Sequence, residues 1–245
     1  MRNRRAIRPL IAIIGLVALV LLTFGWLGYL GGNPFMVIRP QGYQAEKGAP
    51  VAVIFSGDMG FRVGMGTLVA KRLERDGIPV VGVNSLSYFR RTRTPAEAGA
   101  LIREALAQAR AINPLGRVVL IGQSFGADML HVGLAQLPIA QRRGIALVAL
   151  VVPGARVEFR ASPGEILTFW INDVDALPTA RQLDWVPLLC LHGVDEHGSL
   201  CPLLHQPNLW SKALPGGHQL NWDSEAVARE ITSKIVETGD LNHAK

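Results

Sequence analysis

The stretch Arg117-Val118-Val119-Leu120-Ile121-Gly122-Gln123-Ser124-Phe125-Gly126-Ala127-Asp128 decides the architecture. Arg117 to Ile121 is a short aliphatic run of the kind that forms a strand buried on both faces, and a segment with helical character follows to about Leu137. Between them, Gly122-Gln123-Ser124-Phe125-Gly126 sets one serine between two glycines at a strand-to-helix turn. A turn this sharp leaves no room for side chains on either side of the serine, which accounts for the glycines. It also aims the serine oxygen out of the sheet, above the N-terminus of the following helix.

Working outward, the same alternation repeats. Val51 to Phe55 and Ile78 to Val83 read as buried strands, separated by a helix over Val63 to Asp76 that stops at Gly77. Thr94-Pro95-Ala96-Glu97 combines an N-cap threonine, a proline at the first helical position and a glutamate that closes a capping box, so a helix opens there and runs to about Ile112. Further strands are expected over Ile145 to Val152 and Val186 to Leu191, and a last helix from about Asp223 to Val236. Strands alternating with helices predict a single α/β domain over 50–245, with a mostly parallel sheet covered by helices on both faces. A linker beginning Gly31-Gly32-Asn33-Pro34 and a first strand occupy 31–49. Only about 34 residues separate the Val152 and Val186 strands, too few for a large lid, so an open site is expected.

The chain has 245 residues, a formal net charge of +6 and only 18% charged residues, which excludes a disordered chain. The charge is not spread evenly. Residues 1–8 hold Arg2, Arg4, Arg5 and Arg8 without an acid, leaving +2 for the rest, so the basic balance does not point to nucleic acid. Residues 9–30 carry no charge and would span about 30 Å as a helix, the thickness of a bilayer core. The stretch lacks an A-x-A-like cleavage site, so the expectation is an uncleaved transmembrane anchor, with a cleaved signal segment as the alternative. The arginines stay on the cytoplasmic side and the domain is exported in either case.

A serine hydroxyl needs a base, and the base needs a carboxylate to orient it. After a strand–serine–helix elbow these follow in the order acid, then histidine. The turn Gly193-Val194-Asp195-Glu196 offers two carboxylates, and the loop Leu214-Pro215-Gly216-Gly217-His218 precedes the last helix. The candidates are Ser124, Asp195 or Glu196, and His218, with His205 in reserve. His131, His192, His197 and His243 fall in the wrong order or place and read as structural. Acyl transfer also requires donors for the developing oxyanion. The Phe125 amide supplies one, and Ser56-Gly57-Asp58-Met59-Gly60 offers the second through Asp58 or Met59. No Gly-Lys-Ser/Thr follows that loop, so it is not a phosphate-binding P-loop.

These motifs resemble the VirJ/AcvB group of exported proteins with the α/β-hydrolase fold. The matching stretches are Phe55-Ser56-Gly57-Asp58, Val80 to Phe89, Arg93-Thr94-Pro95, Gly122 to Asp128, Leu189-Cys190 with Cys201-Pro202, and Leu214 to His218. Two departures stand out: Met59-Gly60-Phe61 replaces a typical Gly-Gly-Trp, and Gly198 stands where an Asp is expected. The resemblance implies a periplasm-facing serine hydrolase at the bacterial inner membrane. For AcvB-like members it implies release of the amino acid from lysyl-phosphatidylglycerol, and for some VirJ-like members a role in virulence and secretion.

Several residues fit such a substrate. Arg90, Arg91 and Arg93 follow a strand end and are candidates to hold a lipid phosphate, while Asp58 and Asp128 are candidates to attract a lysyl ammonium. The alternatives are a solvated basic loop and a helix-surface aspartate. Cys190 and Cys201 flank the acid turn, and in an oxidising compartment they are expected to form a disulfide. The spacing of His192, His197 and His205 matches no strong zinc pattern, so no metal and no cofactor are expected. Three functions remain: an aminoacyl-phospholipid esterase, an esterase or thioesterase on a soluble acyl substrate, and a non-catalytic periplasmic binding or secretion-accessory protein.

Overall fold

The computed structural model describes residues 3–161 and 173–243, with side chains described for 11–161 and 173–239. The basic tail and His243 therefore contribute no described side chains. In chain order the elements are α1 (Asn3–Leu27), β1 (Phe35–Ile38), β2 (Pro50–Phe55), α2 (Met65–Arg75), β3 (Val80–Val83), α3 (Ser85–Phe89) and α4 (Pro95–Ile112). They continue with β4 (Arg117–Gln123), α5 (Phe125–Ala135), β5 (Ile145–Val151), β6 (Arg156–Val157), β7 (Val174–Asp175), α6 (Leu177–Ala180), β8 (Leu188–Gly193), β9 (Leu209–Leu214) and α7 (Ser224–His243).

Seven strands form one sheet in the order β1-β3-β2-β4-β5-β8-β9. Among the described residues only β1 runs antiparallel to its neighbour in this sheet; the other pairings are parallel. The aliphatic runs are explained by burial on both faces. In β2, Val51, Val53 and Phe55 join a core layer with α4 and α5, whereas Ala52 and Ile54 join the opposite layer with α2 and α7. Each such side chain taken fully from water contributes roughly 1.5–3 kcal/mol, so the central strands hold the two layers together.

Local chemistry sets the element ends. Thr94 accepts the Glu97 amide and Glu97 returns a bond to the Thr94 amide, so α4 starts with the expected capping box. The strand expected from Val186 begins at Leu188, after Pro187, which has no N–H to give to a ladder. The last helix runs past Val236 and Gly239 to His243, and the Arg117 guanidinium packs where a Gly239 side chain would lie. The edge strand β9 escaped the periodicity because its middle is exposed and polar, with Ser211 and Lys212. The segment Asn84 to Arg93, expected at the carboxyl edge of the sheet with a solvated basic loop as the alternative, includes α3, whose N-cap Asn84 accepts the Ser87 amide.

From Ile11 to Thr23 the side chains of α1 are exposed. Among the described residues no helix is long and apolar enough to cross a membrane, so the expected transmembrane span is not supported there. The C-terminal end of α1 does pack on the domain: Leu27 is buried, and Phe24 meets Tyr29 edge to face. Between β5 and β8 the chain carries only the two-stranded pair β6–β7 and α6 among the described residues, with no lid evident.

Candidate active site

The site lies at the carboxyl ends of the parallel strands, where side chains from several loops converge. Ser124 sits between β4 and α5 at φ 54° and ψ −126°, a left-handed conformation that costs a non-glycine residue on the order of 1–3 kcal/mol. The flanking glycines are what allow it. A Cβ on Gly122 would lie 2.4 Å from the Ala127 Cα, and one on Gly126 would lie 2.3 Å from the Phe55 carbonyl oxygen. The elbow is held from below by the Ser124 amide, which donates to the Val151 carbonyl at 2.8 Å.

The Ser124 Oγ lies 2.8 Å from His218 Nε2, and His218 Nδ1 lies 2.5 Å from Glu196 Oε1. Of the two carboxylates left open by the sequence, the geometry selects Glu196; Asp195 is exposed, and its amide donates to the Gly216 carbonyl at 3.0 Å. The selection follows from the loop. The Glu196 carboxylate folds back so that Oε2 accepts the Gly193 amide at 3.2 Å, which desolvates the acid to 5% exposure while His218 keeps 44%. The orienting acid is thus shielded and the base remains accessible to substrate. Gly193 also allows the histidine loop to approach, since a Cβ there would lie 2.3 Å from the Gly216 carbonyl oxygen. The reserve candidate His205 does not line the cleft.

The two ends of the acid loop are joined by the Cys190–Cys201 disulfide, both residues fully buried, with Cα atoms 5.6 Å apart. The bridge fixes the loop carrying Glu196 to β8. Among the described residues no cluster of His, Cys, Asp and Glu is placed to hold a metal ion.

The amides expected to serve as oxyanion donors lie on two elements. The Phe125 amide is at the first turn of α5, which has no helical acceptor for it. Asp58 and Met59 form the middle of a turn closed by the Gly60 amide donating to the Gly57 carbonyl at 3.1 Å, and both residues line the cleft beside Ser124. Sequence reasoning missed the residue that positions this turn. Gln123, inside the serine motif, accepts the Gly57 amide through Oε1 at 3.2 Å and so ties the turn to β4. Its place in a strand-end motif gave no sign of that role. Phe61, in place of tryptophan, packs its ring where a Gly82 side chain would lie and is buried.

The cleft encloses about 800 Å³. Asp58 and Asp128 both line it, and its far wall is the β6–β7 pair with Arg156, Glu158, Arg160 and Asp173. The Arg156 guanidinium donates to both carboxylate oxygens of Asp173, at 2.8 and 2.9 Å. Asp128 is buried one turn after the nucleophile, where Oδ1 accepts the Gly154 amide at 2.9 Å. Burial pushes its carboxyl well above the usual range, the Gly154 bond opposes the shift, and the nearby Glu196 and Glu158 add to it.

Arg90, Arg91 and Arg93, expected to hold a lipid phosphate of the substrate, do not line the cleft. Arg93 is spent on structure: it pairs with Glu97 at 2.6 Å, donates to the Tyr88 carbonyl and lies over the Tyr88 ring. Arg90 donates to the Ser87 carbonyl and packs against Gly31 just after α1. The strand end that precedes them feeds α3, whose Phe89 ring packs on Phe125, while the arginines that follow stay outside the cleft lining.

A serine, a shielded carboxylate and a histidine in this chain order, at the carboxyl edge of a parallel sheet with no lid evident among the described residues, define a serine hydrolase of the α/β-hydrolase fold. The family model for the bacterial virulence protein VirJ matches residues 49–238, and the chain belongs to that family. The fold is similar to that of Est1E from Butyrivibrio proteoclasticus, at a TM-score of 0.60 and 14% identity, covering 83% of this chain and 93% of that one. It is also similar to an alpha-beta serine hydrolase homologue from Coxiella burnetii (TM-score 0.54, 16% identity, 80% and 88% covered). A third likeness is to XC6422 from Xanthomonas campestris, described as an α/β serine hydrolase without lid (TM-score 0.53, 15% identity, 83% and 88% covered). A comparison with curated proteins gives no significant match.

Proposed function

We propose that this chain is a serine esterase that hydrolyses the aminoacyl ester of lysyl-phosphatidylglycerol or a related aminoacyl phospholipid. The observation that carries the reading is the hydrogen-bonded chain Ser124–His218–Glu196 at the floor of an open cleft. Ser124 Oγ attacks the ester carbonyl as its proton passes to His218 Nε2, and Glu196 holds the resulting imidazolium. The negative charge on the former carbonyl oxygen is met by the amides of Phe125 and of Met59 or Asp58. His218 returns the proton to the departing glycerol oxygen, which leaves an aminoacyl ester on Ser124. Water, deprotonated by His218, then releases the amino acid and restores the serine.

The cleft's charge supports an aminoacyl substrate. A lysyl ammonium entering it meets Asp58 and Asp128, and a cation beside Asp128 opposes the upward push that burial gives its carboxyl. The anchor belongs to the same proposal: residues 9–30, behind four arginines, hold the domain at the bacterial inner membrane with its cleft in the periplasm, the cleaved and soluble periplasmic form being the alternative. The uncharged sequence supports it, and the Cys190–Cys201 bridge fits an oxidising compartment. Hydrolysis of lysyl-phosphatidylglycerol in vesicles by the full chain, and its loss in Ser124→Ala, test the reading.

A second reading uses the same machinery on a soluble acyl ester. Its support is the open cleft together with the likeness to Est1E, one structure of which holds ferulic acid. Turnover of short-chain p-nitrophenyl esters well above that of the lipid favours it. A non-catalytic role in binding or secretion, the third function compatible with the family, is opposed by labelling of Ser124 with a fluorophosphonate.

A further inference from the structure

The end of α1 is built into the wall of the cleft. The Asn84 side-chain amide donates to the Leu27 carbonyl at 2.9 Å, while its oxygen caps α3. Gly60, at the end of the oxyanion turn, comes so close that a Cβ on it would lie 2.8 Å from Asn84 Oδ1 and 3.1 Å from the Leu27 carbonyl oxygen. Two residues further on, the exposed Arg62 lies over the exposed Trp26 ring at 5.6 Å from its centroid. Segment 57–65 therefore lines the cleft on one side and holds the end of α1 on the other. The arginines that the cleft does not use gather near the same exit: Arg90 packs on Gly31, and Arg91 beside it is exposed.

We propose that Arg62, Arg90, Arg91 and Trp26 form a docking surface for an anionic phospholipid bilayer, the one that α1 enters, and that Asn84 locks this surface to the oxyanion turn. The inference rests on the reading of α1 as a membrane anchor and of the cleft as an ester-hydrolysing site. The occupant follows from the chemistry around it. An indole and guanidinium groups at the end of a helix exposed as hydrocarbon on all sides match the headgroup layer, where amphipathic rings settle and each basic side chain gains attraction from anionic lipid. Met59, 40% exposed on the oxyanion turn, then faces the lipid surface at the cleft mouth. Esters carried in that surface reach Ser124 without leaving the bilayer, and dissolved esters gain nothing from the arrangement.

The test uses the full chain reconstituted in phosphatidylcholine vesicles with and without phosphatidylglycerol, assayed on lysyl-phosphatidylglycerol and on dissolved p-nitrophenyl butyrate. The triple variant Arg62→Gln, Arg90→Gln, Arg91→Gln should lower lipid turnover about tenfold and leave butyrate turnover intact, the latter also showing that it folds. Equal loss on both substrates, or no loss on either, overturns the docking surface. A fluorescent label on Met59→Cys reads the contact without catalysis: its emission should shift to the blue in anionic vesicles with the native arginines and not with the three glutamines. Labels that behave alike in both backgrounds overturn the docking surface, whatever the substrate. A label shift in the Met59→Cys chain with its native arginines, alongside wild-type hydrolysis of butyrate and not of the lipid, leaves docking standing and removes the lipid-substrate reading instead.

Discussion

Gln123 Oε1 accepts the Gly57 amide at 3.2 Å, so the residue before the nucleophile fixes the turn that faces it. Serine and the proposed oxyanion donors are thereby set against each other through one side chain. Gln123→Ala frees the turn and should lower kcat about tenfold with KM nearly unchanged, because the lost interaction matters where charge develops. Gln123→Glu keeps an acceptor at that point and should retain most of the rate. Steady-state kinetics on p-nitrophenyl butyrate separate the two, and equal rates for wild type and Gln123→Ala would remove the positioning role.

The two neighbouring carboxylates should differ sharply. Glu196→Gln leaves His218 without its charge partner and should reduce kcat by about 10³–10⁴. Asp195→Asn, at an exposed turn, should change the rate little. Rate constants for the pair, measured side by side, check the assignment of the acid.

The Cys190–Cys201 bridge closes the loop that bears Glu196. Replacing both cysteines with serine should lower stability by about 3 kcal/mol in the chain-entropy account, and activity should fall with it as the acid loses its fixed loop. Urea unfolding of the oxidised protein and of the double variant gives the difference. Activity that survives while stability drops would confine the bridge to a structural role.

His131 is fully buried on α5, with Nδ1 2.9 Å from Thr179 Oγ1 and, among the described residues, no partner for Nε2. Thr179 already donates to the Ala176 carbonyl, so it accepts the Nδ1 proton and leaves a bare ring nitrogen in the core. Burial lowers the His131 pKa from 6.5 to about 3. Below pH 6.5 the unfolded chain takes up a proton that the folded chain refuses. Stability is therefore lost as pH falls from 6.5 toward 3, by about 1.4 kcal/mol per unit from this group. His131→Gln should flatten that part of the curve, as read by urea unfolding at pH 7 and pH 5.

The parallel core was legible because its strands are buried on both faces and announce themselves as aliphatic runs, and α4 because its capping box is local. Ser124 was legible for a related reason, since close backbone approach forces the glycines on both sides of it, and His218 was legible from its place after the acid turn and before the last helix. The choice between Asp195 and Glu196 was not, since it depends on how Glu196 folds back onto the Gly193 amide, a contact within the loop that neither residue type dictates. The arginines were misplaced because α3, five residues long and set by an Asn84 cap, turns the chain after β3. Gln123 was overlooked because its partner lies 66 residues away on another loop.

The central claim is that Ser124 is the nucleophile of an ester hydrolase acting on aminoacyl phospholipid. Its most direct measurement is the release of lysine from lysyl-phosphatidylglycerol vesicles by the full chain, compared with Ser124→Ala. The account predicts steady release by the wild type and loss of it, by about 10⁴ or more, in the variant. Release at equal rates by both proteins would contradict it.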